Sequence, residues 1–409
     1  MKRLNFNLVC CILLILFPIL IASASIWNEA KPYTNGTSII ETEHDSSTPQ
    51  AFKIKDGYLL FWEEIYTHRN SDIFYTILNE NGKPINNKVN ITDNDYQSFI
   101  IDIISIHNKY IILSRNQKIS KDLSTSYITY DLISLDLETG YININTVLTE
   151  EDRIPDFVNP SICFDSENLI LLYTKKIYDL YFSSTLYIRK YNSELTQTMK
   201  EKALIINDKL KMQTRIIFSN NQYQIFYRER QHKSNRIYLY KLKLSKELKA
   251  ESPELISIPG VNVYDYRIFY HKDNNKYFII WNNHKYYYYK YITENEIITK
   301  RIPLNNKTYF LSNIEEFQES YLYIRIIEKQ GSKVINLERI NMKEPELAKY
   351  INISQFPKNP DSACILNIKK NNNLHKINND SDKNTNTVLI IWSEKIKETL
   401  QLHFKLLSL

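Results

Sequence analysis

The chain has 409 residues, 43% of them hydrophobic and 13% aromatic, with 31 tyrosines, only 6 glycines and 4 cysteines, and a formal charge of +6. So few cysteines exclude a disulfide-built scaffold, and a hydrophobic core must hold the fold. The scarcity of glycine fits the absence of a G-x-S-x-G elbow, a P-loop or a dinucleotide fingerprint, and the small charge surplus gives no argument for nucleic acid.

The first predicted element is a signal peptide over residues 1–24. Lys2 and Arg3 give a basic start, Leu8 to Ile21 are almost all apolar, and Ala22-Ser23-Ala24 offers small residues for cleavage. That run is shorter than the roughly 20 residues a membrane-spanning helix needs. Cys10 and Cys11 stand at its start, where a lipid-anchored cysteine would not stand. The expectation is export to the periplasm, the cell surface or the medium, with no transmembrane span after cleavage. Residues 25–409 then form one domain with a charge balance of +4, and only Cys163 and Cys364 remain.

A short apolar-aromatic run recurs along that domain: Gly57–Trp62, Lys109–Ser114, Asn168–Tyr173, Gln222–Tyr227, Lys276–Trp281, Ser320–Arg325 and Thr387–Trp392. The last residues of these seven copies are 52, 59, 54, 54, 44 and 67 positions apart, close to a four-stranded propeller blade with loop insertions. Length and β-branched or aromatic content make each run a buried strand rather than a helix. A first strand precedes it, as in Ser161–Phe164, Arg215–Phe218 or Tyr266–Tyr270. A third, alternating strand follows, as in Asp72–Leu78, Ser184–Tyr191, Arg236–Leu242 and Tyr286–Tyr291. Asn79-Glu80-Asn81-Gly82 reads as a hairpin turn in which Asn-Gly supplies positive φ. Fourth strands are Val89–Thr92, Ala203–Asn207 and Tyr350–Ser354.

The seventh unit ends at a third strand, Leu400 to Leu409, whereas Ser38–Asp45 precedes the first unit and has the pattern of a fourth. The predicted fold is therefore all-β: a seven-bladed β-propeller of four-stranded antiparallel blades, closed by an N-terminal strand that completes the last blade. Closure would pair strand edges that otherwise invite aggregation. Residues 368–386, rich in Asn, Lys and Asp, read as a disordered loop inserted between the first two strands of the last unit.

Gly57–Trp62 with Ile73-Phe74-Tyr75 and Asn79–Gly82 resembles the repeat of bacterial exported β-propeller proteins. The resemblance extends over all seven units and implies architecture, not an active site. The chain departs from that pattern at the Trp position, which becomes Ser114, Tyr173, Tyr227 and Arg325.

The chemistry-bearing residues are dispersed. His44, His68, His107, His232, His271, His284, His375 and His403 show no paired metal spacing, so neither a metal nor a cofactor is implied. Cys163 and Cys364 lie in first strands of different units and read as two buried thiols. A propeller glycosidase would put carboxylates at the axis, and Asp102, Asp165 and Asp265 are the candidates, although an Asp at a strand end more often caps a turn. Sequons such as Asn35-Gly36-Thr37 and Asn90-Ile91-Thr92 are at chance level in so Asn-rich a chain.

The loops between second and third strands emerge on one face of a propeller, and in units two to four they are long and basic. Arg115, Lys118 and Lys121 stand in the second unit, Lys175 and Lys176 in the third, and Arg228, Arg230, Lys233 and Arg236 in the fourth. Tyr178, Tyr181 and Phe182 add aromatic surface. A solvated, lysine-rich loop set is the plain reading; the functional reading is a basic face for a protein or acidic glycan ligand. The expected function is thus an exported, non-enzymatic binding protein, adhesin-like towards extracellular-matrix protein or acidic polysaccharide. The alternatives are a propeller-fold glycosidase or lyase with axial carboxylates and a scaffold in an envelope complex.

Overall fold

A computed structural model describes residues 37–40, 44–119, 126–149, 159–177, 183–205, 207, 209–231, 234–271, 276–293, 297–303, 308–317, 320–329, 332–341, 349–352, 363–368, 387–396 and 399–408. The signal peptide, the cleavage site and the 369–386 insert lie outside the described residues. The described chain is all strand and connection, with no helix among those residues.

The elements begin with β1 (Thr37–Ile40). A first group holds β2 (Asp45–Ile54), β3 (Gly57–Thr67), β4 (Asn70–Leu78) and β5 (Val89–Asn90). A second holds β6 (Gln97–Ile106), β7 (Lys109–Ile119), β8 (Ser126–Asp136) and β9 (Ile142–Thr149). The third is β10 (Ser161–Phe164), β11 (Leu169–Lys176), β12 (Ser184–Tyr191) and β13 (Gln197–Ile205), and the fourth is β14 (Leu210–Ser219), β15 (Gln222–Arg230), β16 (Ile237–Ser245) and β17 (Glu254–Leu255). The fifth is β18 (Asp265–His271), β19 (Lys276–Asn282), β20 (Tyr286–Ile292) and β21 (Ile297–Pro303), and the sixth is β22 (Thr308–Phe317), β23 (Ser320–Lys329), β24 (Ser332–Asn341) and β25 (Lys349–Asn352). The last group contains β26 (Ala363–Ile368), β27 (Thr387–Ile396) and β28 (Thr399–Ser408).

Antiparallel pairing joins the strands of the third to sixth groups into four-stranded sheets in chain order. The first two groups form one eight-stranded sheet, but only a single parallel bridge, Ser71 to Gln97, connects their two four-stranded halves. In the last group the order is β1-β28-β27-β26, with Thr37 opposite Phe404, Ser38 opposite His403 and Ile40 opposite Leu402. The pairing segment is shorter than Ser38–Asp45, because Asp45 already belongs to β2, opposite Ile65.

The second strand of each group is the buried one, and pleat geometry explains why its apolar run is unbroken. It has a strand on each side within its sheet and a neighbouring sheet on each face, so both sets of alternating side chains need apolar character. Leu60 and Trp62 pack with Leu389, Ile391 and Leu402 of the last group, whereas Leu59 and Phe61 pack with Ile112 and Ile133 of the second. The same alternation continues through Leu113 with Leu171, Ile170 with Ile225, Phe226 with Ile279, Ile280 with Tyr323, and Ile324 with Ile390. Each such side chain stabilises the fold by about 1.5–3 kcal/mol through burial. Far from this core, β13 and β21 are mostly exposed and carry lysines, as expected of outer edges.

Local chemistry sets the turns. Asn79 accepts the Gly82 amide at 2.9 Å, Gly82 takes φ +76°, and Asn79 Oδ1 accepts the amides of Asn81 and Lys83. Gly57, at φ +154°, comes so close to the β4 end that a Cβ there would sit 1.9 Å from the Leu78 carbonyl oxygen. Cys163 and Cys364 are both buried free thiols in first strands of their groups, and burial pushes the Cys364 thiol up to about 12.

The hairpin between the second and third strands of one group lies beside the segment entering the next. Gln97 Nε2 donates to the His68 carbonyl at 2.7 Å, the Ser184 amide to the Lys209 carbonyl at 3.1 Å, and the Val263 amide to the Ile237 carbonyl at 2.9 Å. These junctions form the connection face.

Candidate functional site

The basic residues expected in loops stand mainly on strands. Arg115 and Lys118 lie on β7, opposite Tyr130 and Tyr127 of β8, and Lys175 and Lys176 lie on β11, opposite Thr185 and Ser184 of β12. Arg228 and Arg230 lie on β15. The ladders run further than the polar composition suggests, because alternating side chains on an extended strand can point outward without breaking the backbone pairing. Lys121, Tyr178, Tyr181, Phe182 and Lys233 lie outside the described residues.

Several of these cations are engaged inside the molecule. Lys175 is 2.7 Å from Glu201, which also accepts from the Tyr173 hydroxyl and from Arg189. Burial alone would raise the Glu201 carboxyl, but these donors outweigh it and hold it at about 2. Arg228 donates to the carbonyls of Val263 and Tyr264, and burial lowers its guanidinium below the ordinary range. Arg230 donates through Nε and Nη2 to Asn235 Oδ1 at 2.8 and 2.5 Å. Arg115 lies over the Phe99 ring and Lys118 over Tyr96, at 5.9 and 5.5 Å from the centroids. Lys118, Lys176 and Arg236 are exposed. Arg228, Arg230 and Arg236 are brought together by the β15–β16 hairpin, where the Gln231 amide donates to the Arg236 carbonyl. Arg115 and Lys118 belong to the second group and Lys175 and Lys176 to the third, apart from that hairpin.

The three candidate carboxylates also have partners. Asp102 Oδ2 accepts from Ser161 Oγ at 3.0 Å and from the Ile162 amide, and Arg215 is 3.6 Å away. Asp265 Oδ1 accepts from Gln213 Nε2 at 2.6 Å and from Arg267 at 2.8 Å. Both aspartates stand on the first strands of their groups, β6 and β18, and these contacts tie neighbouring sheets together. Asp165 is buried and caps the β10–β11 turn, accepting the amides of Glu167 and Asn168 and the Tyr223 hydroxyl. These hydrogen bonds outweigh burial and lower its carboxyl.

A polar cavity of about 380 Å³, absent from the sequence expectations, opens at the junction of the first two groups, lined by Tyr66, Asn70, Asp72, Asn90, Asp93, Asn94 and Asp95. Asp72, 4% exposed, organises it. Its oxygens accept from Thr92 Oγ1 at 2.7 Å, Asn90 Nδ2 at 2.9 Å, the Asn94 amide at 3.3 Å and the Tyr66 hydroxyl. That uses the roughly four lone-pair directions of a carboxylate, so Asp72 anchors the loop and has no capacity left for a ligand. Among the described residues no group of three or more His, Cys, Asp or Glu side chains converges as a metal site would.

A second surface cluster occupies the equivalent junction between the fourth and fifth groups. The Tyr264 amide donates to the Asn282 carbonyl at 3.0 Å, which brings Tyr264 onto the β19–β20 hairpin, where its ring stacks on His284 with centroids 3.7 Å apart. Tyr264 is still 40% exposed. The Asn262 side chain accepts the Ile237 amide, and a Cβ added at Gly260 would lie 3.4 Å from the Arg236 guanidinium. Arg236 therefore lies against the same turn that leads into Tyr264. Sequence spacing carries no sign of this pair, since 20 positions separate the two rings and the pairing of β18 with β19, extended by the backbone bond to Asn282, unites them.

No known protein family and no curated protein matches the sequence. Solved structures do match in fold. Polysaccharide lyase Uly1 aligns over 92% of this chain and 92% of its own with 10% identity and a TM-score of 0.50. The β-propeller domain of the Trilobed protease from Pyrococcus furiosus aligns over 88% of this chain and 95% of its own with 8% identity and a TM-score of 0.48. At these identities the likeness is one of fold: an all-β, propeller-type assembly of four-stranded antiparallel sheets. Among the described residues no helix is long and apolar enough to cross a membrane.

Proposed function

We propose that the chain is an exported, non-enzymatic binding protein, a closed seven-bladed propeller whose connection face recognises an anionic ligand. The observation that carries the reading is the contrast in how charge is used on that face. Asp102 and Asp265 are each matched to an arginine and to neutral donors, whereas Lys118, Lys176 and Arg236 project into solvent. Exposed cations beside paired carboxylates attract anions and steer them in, and the exposed Asp93 and Asp95 confine that attraction to the part of the face away from the junction of the first two groups. Ring closure is supported by the β1–β28 pairing and by the cluster that joins Leu60 and Trp62 to Leu389 and Ile391. Export rests on the basic, apolar and small-residue pattern of residues 1–24.

Binding to an anionic polysaccharide column under rising salt tests the reading. Retention at low ionic strength that collapses towards 1 M salt, and that weakens in a Lys118→Ala, Lys176→Ala, Arg236→Ala triple variant, is the expected result, because exposed charge pairs are screened within a few ångströms at that salt. Absence of retention at low salt contradicts it. The enzyme alternative rests on Asp102 and Asp265 standing on the first strands of their groups. Glycosidase or lyase turnover that disappears in Asp265→Asn is the result that would favour it.

A further inference from the structure

We propose that Tyr264 and His284 form a stacking platform for a sugar ring of an anionic glycan, with Arg236 placed to meet its acidic group. This rests on the binding-protein reading and adds to it a particular subsite and a ligand class.

The platform is built from below. Arg228, under the Tyr264 backbone, donates to two consecutive carbonyls, of Val263 and Tyr264. The Tyr264 amide is tied to Asn282, and the β19–β20 turn is fixed by Asn283 Oδ1, which accepts the amides of Lys285 and Tyr286 at 3.1 and 2.8 Å. Both ends of the stacked pair are thus held by hydrogen bonds of the main chain, so a ligand meets rings whose ordering cost was met on folding. One face of the Tyr264 ring lies on the imidazole, yet the residue keeps 40% exposure, as expected of a ring with surface open to solvent.

The surrounding charge selects the ligand. Arg236 and Lys285 are exposed and Arg230 is partly so, while Arg301 lies over the Tyr286 ring at 5.0 Å from the centroid. The nearby carboxylates are committed: Glu229 is buried 3.2 Å from Lys209, and Asp265 is held by Arg267 and Gln213. The neighbourhood therefore presents net positive charge beside a flat aromatic surface. A neutral sugar would use the ring but not the cations. An acidic peptide would use the cations but not the flat ring, and strand addition is closed to it here, because the second and third strands beside this patch, β15, β16, β19 and β20, already have partners on both sides. A sugar that carries a carboxylate or sulfate uses both features, C–H groups on the aromatic face and a charge-assisted bond to the planar guanidinium.

Titrations of the full chain with polygalacturonate, dextran sulfate, neutral dextran and poly-glutamate test the assignment, each repeated with Tyr264→Ala, His284→Ala and Tyr264→Phe. The expected result is binding to one or both anionic polysaccharides and not to dextran, weakened about five- to tenfold by either alanine variant, the scale of one aromatic contact, and retained in Tyr264→Phe. Polygalacturonate against dextran sulfate separates carboxylate from sulfate recognition, and preference for either supports the site. Poly-glutamate binding as tight as the polysaccharides overturns it. So does salt-sensitive polysaccharide binding that is unchanged in both alanine variants, an outcome that leaves the basic-face reading standing. If none of the anionic probes binds, both readings fall together.

Discussion

Two junctions of the connection face occupy the same topological place and use their polar groups in opposite directions. Between the first and second groups, Asp72 turns four donors inward, and Asn90, Thr92 and Asn94 fold around it, so the loop completes its own chemistry. Between the fourth and fifth, Arg228 spends its donors on the main chain at Val263 and Tyr264, beneath a ring that stays 40% exposed, and Arg236 beside it is exposed. The lesson is that composition does not locate a ligand surface. In the Asn/Asp-rich loop the buried Asp72 is internally satisfied, whereas a turn with little charge of its own carries an exposed ring beside exposed cations.

The largest effect should come from the inward junction. Asp72→Ala removes a buried acceptor from the four donors of Tyr66, Asn90, Thr92 and Asn94, and a loss of about 2–4 kcal/mol is expected, read by urea denaturation. Arg228→Ala should cost about 1–2 kcal/mol, because a partly buried and an exposed carbonyl lose their donor, and it should also loosen Tyr264 from His284, visible as a changed His284 ring resonance. If Arg228→Ala left that resonance unchanged, the proposed dependence of the platform on its support would be wrong.

Glu201 sharpens the contrast through pH. Its carboxyl is held at about 2 in the folded chain against an ordinary 4.5, so its stabilising contribution is present above about pH 4.5 and is lost as pH falls towards 2. Glu201→Gln should therefore melt below the parent protein near neutral pH by an amount equivalent to about 1 kcal/mol or less, given the partial exposure, and the gap should close in acid. A gap that persisted at low pH would point to lost packing instead. The smallest effect belongs to the outward junction: Arg236→Ala should alter stability by no more than about 0.5 kcal/mol while weakening anion binding.

Much of the architecture was legible because burial on both faces forces a continuous apolar run, and Gly57–Trp62 or Lys276–Trp281 can hardly be anything but an enclosed strand. The Asn79–Gly82 turn was legible for the same kind of reason, since positive φ demands particular residues. The fourth strand of the first group is shorter than its sequence pattern suggests. Val89–Thr92 looks extended, but β5 stops at Asn90 because Thr92 and Asn94 bond to Asp72 on β4, a partner about 20 positions away. The polarity of Arg115, Lys175 and Arg228 suggests loops, whereas their backbones stay in the ladder. The Tyr264–His284 pair was not legible, since neither hairpin alone contains it.

All these assignments of face depend on the sheets following one another around a ring that the first strand completes. Residue-resolved amide hydrogen exchange on Thr37–Ile40 and on Leu402–Phe404 tests that most directly. Closure predicts slow exchange for the ladder amides of both segments and faster exchange in Leu402–Phe404 when residues 37–43 are deleted. Free exchange in Thr37–Ile40, with Leu402–Phe404 unaffected by the deletion, would contradict it.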